Sequence, residues 1–517
     1  PSVRRTERMC YELGAEMSDL CHVGGYADEA AAREYAVSAQ SGMRMIPYVT
    51  RLSGAGSDGV RSPCLHDEDY RSRAIASIAN TSTQAAPYAP VAYTLGDENY
   101  LTRNSGPGVC SSPETMAAFR DWLEAKYVDV ADLNAAWATD LGGFADVAEP
   151  MTLVSATEQT ESFAPWFDHR LFMDTAFAET HDLFADAIRG VDPGAKVGWD
   201  GLLSYHWQAG YDFYQLSRNM ELNQVYTSIW PQDEFVRSFA QEGALTGQWG
   251  NSVADNEDGF AAMAWHNAFN GHNSAWWWTS WGCDYIPFNP DHSISEFGRW
   301  HFDAANEVTA GPGKLLVNAK RDNSGIAVLY NQAGVFAAKL AEKVAPGSAF
   351  AGDATWLDNH KGLLRALQDL GYQFEYVAAA EIDEQGAQAL EGFQALFLPL
   401  ATCISDEQVT AIKAFANAGG AVIADGRPGI LTGSGVPRQD RPLDDLFGVE
   451  SPSGMEAFAI SSAPLPEGAA LPMGPALEPG IEVTTGAASM EFGNQQHVIA
   501  HDSALLLNSP FRQYNSL

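Results

Sequence analysis

Residues 90–100 read Pro-Val-Ala-Tyr-Thr-Leu-Gly-Asp-Glu-Asn-Tyr, and the reading of this stretch decides the rest. Pro90 to Gly96 is a short apolar run of the kind that forms a buried strand, and it runs straight into the acidic pair Asp97-Glu98. Helices flank it, from Asp67 to Ser82 and from Pro113 onward, so a strand sits between two crossovers. That is the signature of a parallel sheet whose strands return through helices. Function in such folds gathers where the strands end at their C-terminal face. A carboxylic acid placed there is poised to protonate a leaving-group oxygen, which makes Glu98 the first candidate for chemistry.

Outward from this point the alternation holds over the first three-fifths of the chain. Met17 to Val23 and Met43 to Val49 precede it as strands. Lys196 to Trp199, Asn223 to Ile229, Ala244 to Gln248 and Ser274 to Thr279 follow it. Helices are expected at Arg5 to Ala15, Ala27 to Ser41, Pro113 to Trp137, Trp166 to Arg189, His206 to Asn219, Gln232 to Glu242, Asp258 to Asn270 and Ile294 to Val308. Seven strands and an opening helix fit a (β/α)8 TIM barrel over 1–312 that lacks its first strand, with a fragment or a strand supplied by another chain as the explanation. An open doubly wound sheet is the alternative, but no Gly-rich phosphate turn accompanies it. A second alternating block, 313–435, has strands at Gly325 to Tyr330, Phe374 to Ala378, Ala395 to Pro399 and Ala421 to Ala424. It reads as a flavodoxin-like α/β domain. A β-rich C-terminal segment, 436–517, completes the layout and ends without an obvious domain boundary.

The chain has 517 residues, 66 acidic against 30 basic, for a net charge of −36. So strong a negative field repels nucleic acid and anionic membranes, and both are discounted as partners. A solvated acidic surface, as in proteins of salty water, accounts for it. No run of 18 apolar residues marks a membrane span, and Pro1 to Thr6 lack the apolar core of a signal peptide. The six cysteines (Cys10, Cys21, Cys64, Cys110, Cys283 and Cys403) show no Cys-x-x-Cys spacing, so no zinc site is expected. One or two disulfides in the first third are compatible with the count, without a defined pairing. No cofactor and no metal are expected.

Counting the absent strand as the first, Glu98 ends strand four and Ala244 to Gln248 is strand seven. A retaining glycosidase needs a second carboxylate about 5–5.5 Å from the first. The strand end offers Gln248, so the nucleophile position falls on a residue that cannot attack. Glu242, near the Gly243 helix stop, is the alternative. Aromatic residues gather at the strand ends, at Tyr93, Trp199, Trp230, Trp249, Trp276, Trp277, Trp278 and Trp281. Such rings suit stacking on the apolar faces of sugars. Asp97, Asn99, His206 and Arg44 are further candidates for hydrogen bonds to hydroxyls.

Four stretches carry a resemblance to glycoside hydrolase family 42, the β-galactosidases. Leu95 to Tyr100 is similar to the segment where that family has an Asn-Glu pair. Leu133-Asn134-Ala135-Ala136-Trp137-Ala138-Thr139 is similar to its LN-x-AWGT segment, and Phe167 to Phe172 to its D-x-R-R-F helix start. The flavodoxin-like block after the barrel is the fourth. The resemblance implies Glu98 as acid/base, a nucleophile at the end of strand seven, and trimer contacts through the flavodoxin-like domain, hence a homotrimer. Two departures stand out: Asp97 where the family has the Asn that contacts the sugar 2-hydroxyl, and Gln248 where it has a Glu. The family's zinc-binding cysteine cluster is not visible. The implied function is a retaining exo-acting β-glycosidase acting on terminal β-galactosides or galactan oligosaccharides, including red-algal galactans. It is expected to be secreted or periplasmic, with a cytoplasmic location left open. A non-catalytic carbohydrate-binding relative that lost its nucleophile is the alternative. An amidotransferase built on Cys403 is a third, but no Gly-x-Cys-x-Gly elbow surrounds it, and a packed thiol is expected there.

Overall fold

The computed structural model describes residues 2–20, 28–57, 59–102, 109–202, 207–226, 232–249, 256–277, 287–344, 353–451, 453–455, 482–483, 487–492, 495–501 and 504–507. All seven expected barrel strands are present: β1 (Met17–Leu20), β2 (Arg44–Pro47), β3 (Tyr93–Asp97), β4 (Val197–Leu202), β5 (Leu222–Tyr226), β6 (Leu245–Trp249) and β7 (Ser274–Trp276). β1 pairs parallel with β2, and β3 to β7 form a parallel sheet in chain order. Tyr48, just past β2, bridges Thr94 of β3 in parallel and joins the two sets. Among the described residues no eighth strand joins β7 to β1.

The sheet curls. Met17 of β1, Ile46 of β2, Leu222 and Tyr226 of β5, Trp249 of β6 and Trp276 of β7 share one apolar cluster, although β1 and β7 lie at opposite ends of the strand order. Side chains from such distant strands meet when the sheet closes on itself, so this set marks the inner face. Alternation then sends their neighbours outward, toward the helices.

Capping explains where several helices start. Asp67 accepts from the amides of Asp69 and Tyr70 to open Glu68–Ala85, whose first turn carries Glu68 and Asp69. The long helix expected from Pro113 to Trp137 is two, Pro113–Lys126 and Val130–Trp137, because Asp129 caps a new start. Helices run close to expectation at Asp28–Ser41, Ala164–Arg189, Glu257–Phe269 and Glu296–Thr309. The helix expected at His206 to Asn219 is only Phe213–Ser217.

The second unit holds β8 (Ile326–Tyr330), β9 (Glu375–Ala378), β10 (Ala395–Leu398) and β11 (Ala421–Asp425). β8 is buried along its whole length, as its uninterrupted apolar sequence requires of a central parallel strand. Beyond it the sheet continues with β12 (Ala487–Phe492), β13 (Gln495–His501) and β14 (Ala504–Leu507), in the order β9-β8-β10-β11-β14-β13-β12. β14 runs parallel to β11, while β13 and β12 return antiparallel. The parallel part therefore has the flavodoxin order 2-1-3-4-5, its fifth strand supplied by Ala504–Leu507. The reading that set 436–517 apart as a segment of its own is corrected here: this strand is apolar along its length because it completes the preceding sheet.

The two units are tied by polar contacts. Arg321 binds Glu234 at 2.9 Å, the Tyr376 amide donates to Ser238 Oγ, and Tyr330 Oη donates to the Tyr211 carbonyl.

Candidate active site

β3 delivers Glu98 to the C-terminal face through a chain of local constraints. Gly96 has φ +117°, and a Cβ there would lie 2.5 Å from the Thr50 carbonyl oxygen, so glycine alone lets β3 end against the loop after β2. That approach brings up Arg51, whose Nη2 lies 2.7 Å from Glu98 Oε2; Tyr100 Oη donates to the same oxygen at 3.1 Å. The Glu98 side chain is 24% exposed, and its amide donates to the Gly201 carbonyl of β4. Its φ is +49°, a left-handed conformation rare outside glycine and common at functional sites.

Asn99 is fully buried and works for the backbone. Its Oδ1 accepts from the Leu52 amide, and its Nδ2 donates to the Leu95 carbonyl and to His181 Nε2. His181 Nδ1 in turn donates to the Phe177 carbonyl, which fixes the neutral tautomer with Nε2 as acceptor, and burial holds this imidazole down at about 4. The Asn99 carbonyl accepts from Tyr211 Oη at 2.6 Å. The amide expected to contact substrate thus locks the turn that presents Glu98.

Inside the barrel the carboxylates cluster. Tyr226 Oη donates to Asp97 Oδ1 at 2.7 Å, and the Asp97 amide donates to Tyr48 Oη. Burial first, and then the nearby Asp200 carboxylate, push Asp97 up to about 7, against the pull of the Tyr226 hydrogen bond. Asp200 accepts from Thr94 Oγ1 at 2.5 Å and lies near Asp19 of β1. Burial and the charge of Asp200 raise Asp19 well above the usual carboxylate range. Gly201, at φ +65°, is dictated by this cluster, since a Cβ there would meet Asp97 Oδ1 at 1.9 Å.

Five expected site residues belong elsewhere. Gln248 points outward: its Nε2 donates at 2.7 Å to Asp233 of the helix Gln232–Phe239, and the same carboxylate meets His266 of the helix Glu257–Phe269. Both helices lie outside the sheet, so alternation takes Gln248 out of the barrel and turns Trp249 in. Glu242 is exposed in the turn before β6, at the N-terminal end of that strand and away from the mouth. Tyr93 also faces the helices and donates to Asp192, a residue preceding the start of β4. Trp199 is wholly buried, and its indole donates to Leu216 of the short outer helix. Arg44 is an exposed residue at the start of β2, at the end of the barrel away from the mouth.

Trp249 and Trp276 remain on the inner face, each the last residue of its strand, with ring centroids 5.9 Å apart. Trp277 faces the helices and packs on His301. His206, Trp230, Trp278 and Trp281 lie outside the described residues. Among the described residues no group of three or more His, Cys, Asp or Glu could hold a metal ion, and no helix is long and apolar enough to cross a membrane. Cys403 is a fully buried thiol, as expected of packing rather than catalysis. Arg51, Tyr48, Tyr226, Asp19, Asp200 and His181 were missed by sequence reading. For Arg51, Asp19 and Asp200 the signal was present, because each lies in or just beyond an expected strand.

Two of the matching stretches meet here as structure. Asp168 is held at once by Trp137 Nε1 (2.7 Å), Lys126 Nζ (2.6 Å) and Tyr127 Oη (2.6 Å). That node pins the helix Val130–Trp137 to Ala164–Arg189 behind the site.

A carboxylic acid at the C-terminal end of a parallel barrel strand is an arrangement that glycoside hydrolases use. The family model described as β-galactosidase, glycoside hydrolase family 42, matches residues 59–247, which is 189 of 517 positions. Over that third of the chain the sequence is similar to the family. The fold is similar to the crystal structure of a β-galactosidase from the psychrophilic Marinomonas ef1, with 13% identity, TM-score 0.71, and coverage of 100% of this chain and 88% of that one. It is likewise similar to a polyextremophilic β-galactosidase from the Antarctic haloarchaeon Halorubrum lacusprofundi, with 15% identity, TM-score 0.69, and coverage of 99% and 86%. An exo-carrageenase of family 42 from Bacteroides ovatus matches at 14% identity and TM-score 0.55, over 73% of this chain and 55% of that one. No curated protein sequence matches the chain.

Proposed function

We propose that this glycoside hydrolase is an exo-acting, retaining β-glycosidase of β-galactosidase type, cleaving terminal β-galactosides or galactan oligosaccharides, including those of red algae. Glu98 is its acid/base. The observation that carries the reading is the placement of Glu98: partly exposed, at the end of β3, held by Arg51 and Tyr100 and presented by a left-handed backbone turn. Trp249 and Trp276 supply ring faces for a sugar at the same end. The candidates for its partner carboxylate are the inner-face pair Asp97 and Asp200, since the β6 strand end presents Gln248 instead. The net charge of −36 suits a salty milieu, and secretion or export to the periplasm and assembly as a homotrimer belong to the same proposal. The outward turn of Gln248 favours one other reading, a carbohydrate-binding relative without turnover. Hydrolysis of an aryl β-galactoside and of galactan oligosaccharides tests the proposal. Release of terminal galactose with retained configuration supports it. Binding on a glycan array with no hydrolysis of any bound glycan overturns it in favour of the second reading.

A further inference from the structure

Cys64 and Cys110 lie in the two loops that frame Glu98, one after β2 and one after β3, 46 positions apart in sequence. Both sulfurs converge on Ser112. Cys64 Sγ lies 3.2 Å from Ser112 Oγ and 3.3 Å from Thr115 Oγ1, while Cys110 Sγ accepts from the Ser112 amide at 3.5 Å and the Arg61 amide at 3.2 Å. The two thiols lie close enough to shift each other's ionisation in opposite directions. We propose that Cys64 and Cys110 are a thiol–disulfide pair, with Cys64 the attacking thiol, whose oxidation staples together the loops that carry Arg51 and Glu98.

The surroundings fit that division of labour. Cys64 is partly exposed and sits over the first turn of the helix Pro113–Lys126, which Ser112 caps. Helix N-termini and neighbouring positive charge stabilise thiolate, and the Arg61 guanidinium lies close enough to feel both sulfurs. The nearby Cys110 and the hydrogen bonds from His66, Ser112 and Thr115 lower Cys64, whereas the nearby Cys64 and burial raise Cys110. Cys110 is 1% exposed, so an oxidant reaches Cys64 first.

The oxidant is a small-molecule disulfide of the glutathione type. The Cys64 thiolate attacks one of its sulfurs, forming a mixed disulfide and expelling one small thiolate. Cys110 then gives up its proton and attacks the Cys64 sulfur, expelling the second. Two protein thiols are oxidised by two electrons, and one small disulfide is reduced to two thiols. This inference stands apart from the glycosidase reading, because its readout is covalent.

The test is equilibration of the native protein with oxidised glutathione, alkylation of the remaining thiols, and peptide mapping without reduction. The expected result is a Cys64–Cys110 linked peptide that dithiothreitol removes. Cys110→Ser is expected to stop at glutathione on Cys64, and Cys64→Ser to leave Cys110 unmodified. Alkylation of both cysteines after equilibration overturns the proposal. So does attack at Cys110 in the Cys64→Ser variant at the rate of the parent, or stoichiometric zinc retained by the pair.

Discussion

The outward turn of Gln248 makes the substitution Gln248→Glu diagnostic. Its amide now donates to Asp233, a carboxylate with no exposed side-chain surface that also meets His266. The substitution replaces a donor with an acceptor 2.7 Å from a buried oxygen. The native charge-assisted hydrogen bond is worth about 1.5–3 kcal/mol. Two adjacent carboxylates cannot both ionise there, so one must keep a proton. Holding a proton at pH 7.5 on a group whose unfolded value is about 4.3 costs about 4 kcal/mol, at about 1.36 kcal/mol per unit. The protonated pair recovers a hydrogen bond, and His266 offsets part of the cost. Burial alone would pull His266 down, but its hydrogen bond to Asp233 raises it, and a second carboxylate would raise it further. The net expectation is a loss of about 2–4 kcal/mol at pH 7.5. The sign with pH follows from linkage. The introduced carboxyl has a folded value above its unfolded one, so its penalty is absent below about pH 4.3 and grows as pH rises toward the folded value. Urea denaturation of parent and variant at pH 4.5 and 7.5 measures this, beside hydrolysis of an aryl β-galactoside. Unchanged stability at pH 7.5 together with new or increased hydrolysis would refute the reasoning, since the side chain would then have to face the barrel.

Three further substitutions probe the turn and the inner face. Asp97 is raised to about 7, so its burden on the fold begins above its unfolded value near 3.8 and is complete above about pH 7. Asp97→Asn keeps the acceptor for Tyr226 and is expected to stabilise the protein at pH 8, with an upper bound of about 4 kcal/mol, and to do little at pH 4; thermal melts at the two pH values read this out. Asn99→Ala orphans the Leu52 amide and the Leu95 carbonyl in the core, which costs about 2–4 kcal/mol in urea denaturation. Tyr211→Phe removes only the hydroxyl on the Asn99 carbonyl; about 1 kcal/mol of stability and a fall in kcat with KM unchanged are expected from steady-state kinetics on an aryl β-galactoside.

The order of the parallel strands was legible because each strand is a short apolar run between a helix stop and a turn. Glu98 was legible because the acidic pair directly follows such a run. The facing of individual side chains was not. Trp199 and Tyr93 sit in expected strands, yet the inward residues there are Asp200 and Thr94, one position away. In a strand a shift of one residue reverses the face, and these sequences are apolar on both faces because helices cover the outside. The same ambiguity misplaced Gln248 beside Trp249. The second unit's fifth parallel strand was missed for a different reason. It lies nearly eighty residues from β11 in sequence, beyond a Pro- and Gly-rich stretch, and pairing across such a span leaves no local pattern. His181 and its hold on Asn99 were likewise invisible, since a histidine within an amphipathic helix carries no sign of a partner 82 positions away.

The central claim is that Glu98 donates the proton to the leaving group, and leaving-group dependence in Glu98→Gln tests it most directly. The account predicts that kcat/KM falls by about 10²–10⁴-fold on a β-galactoside with a poorly acidic leaving group. A nitrophenyl leaving group needs little protonation, so the loss in its first step should be far smaller. A loss that is equal for both substrates, or no loss at all, would contradict the account and move the acid to another residue of the barrel mouth.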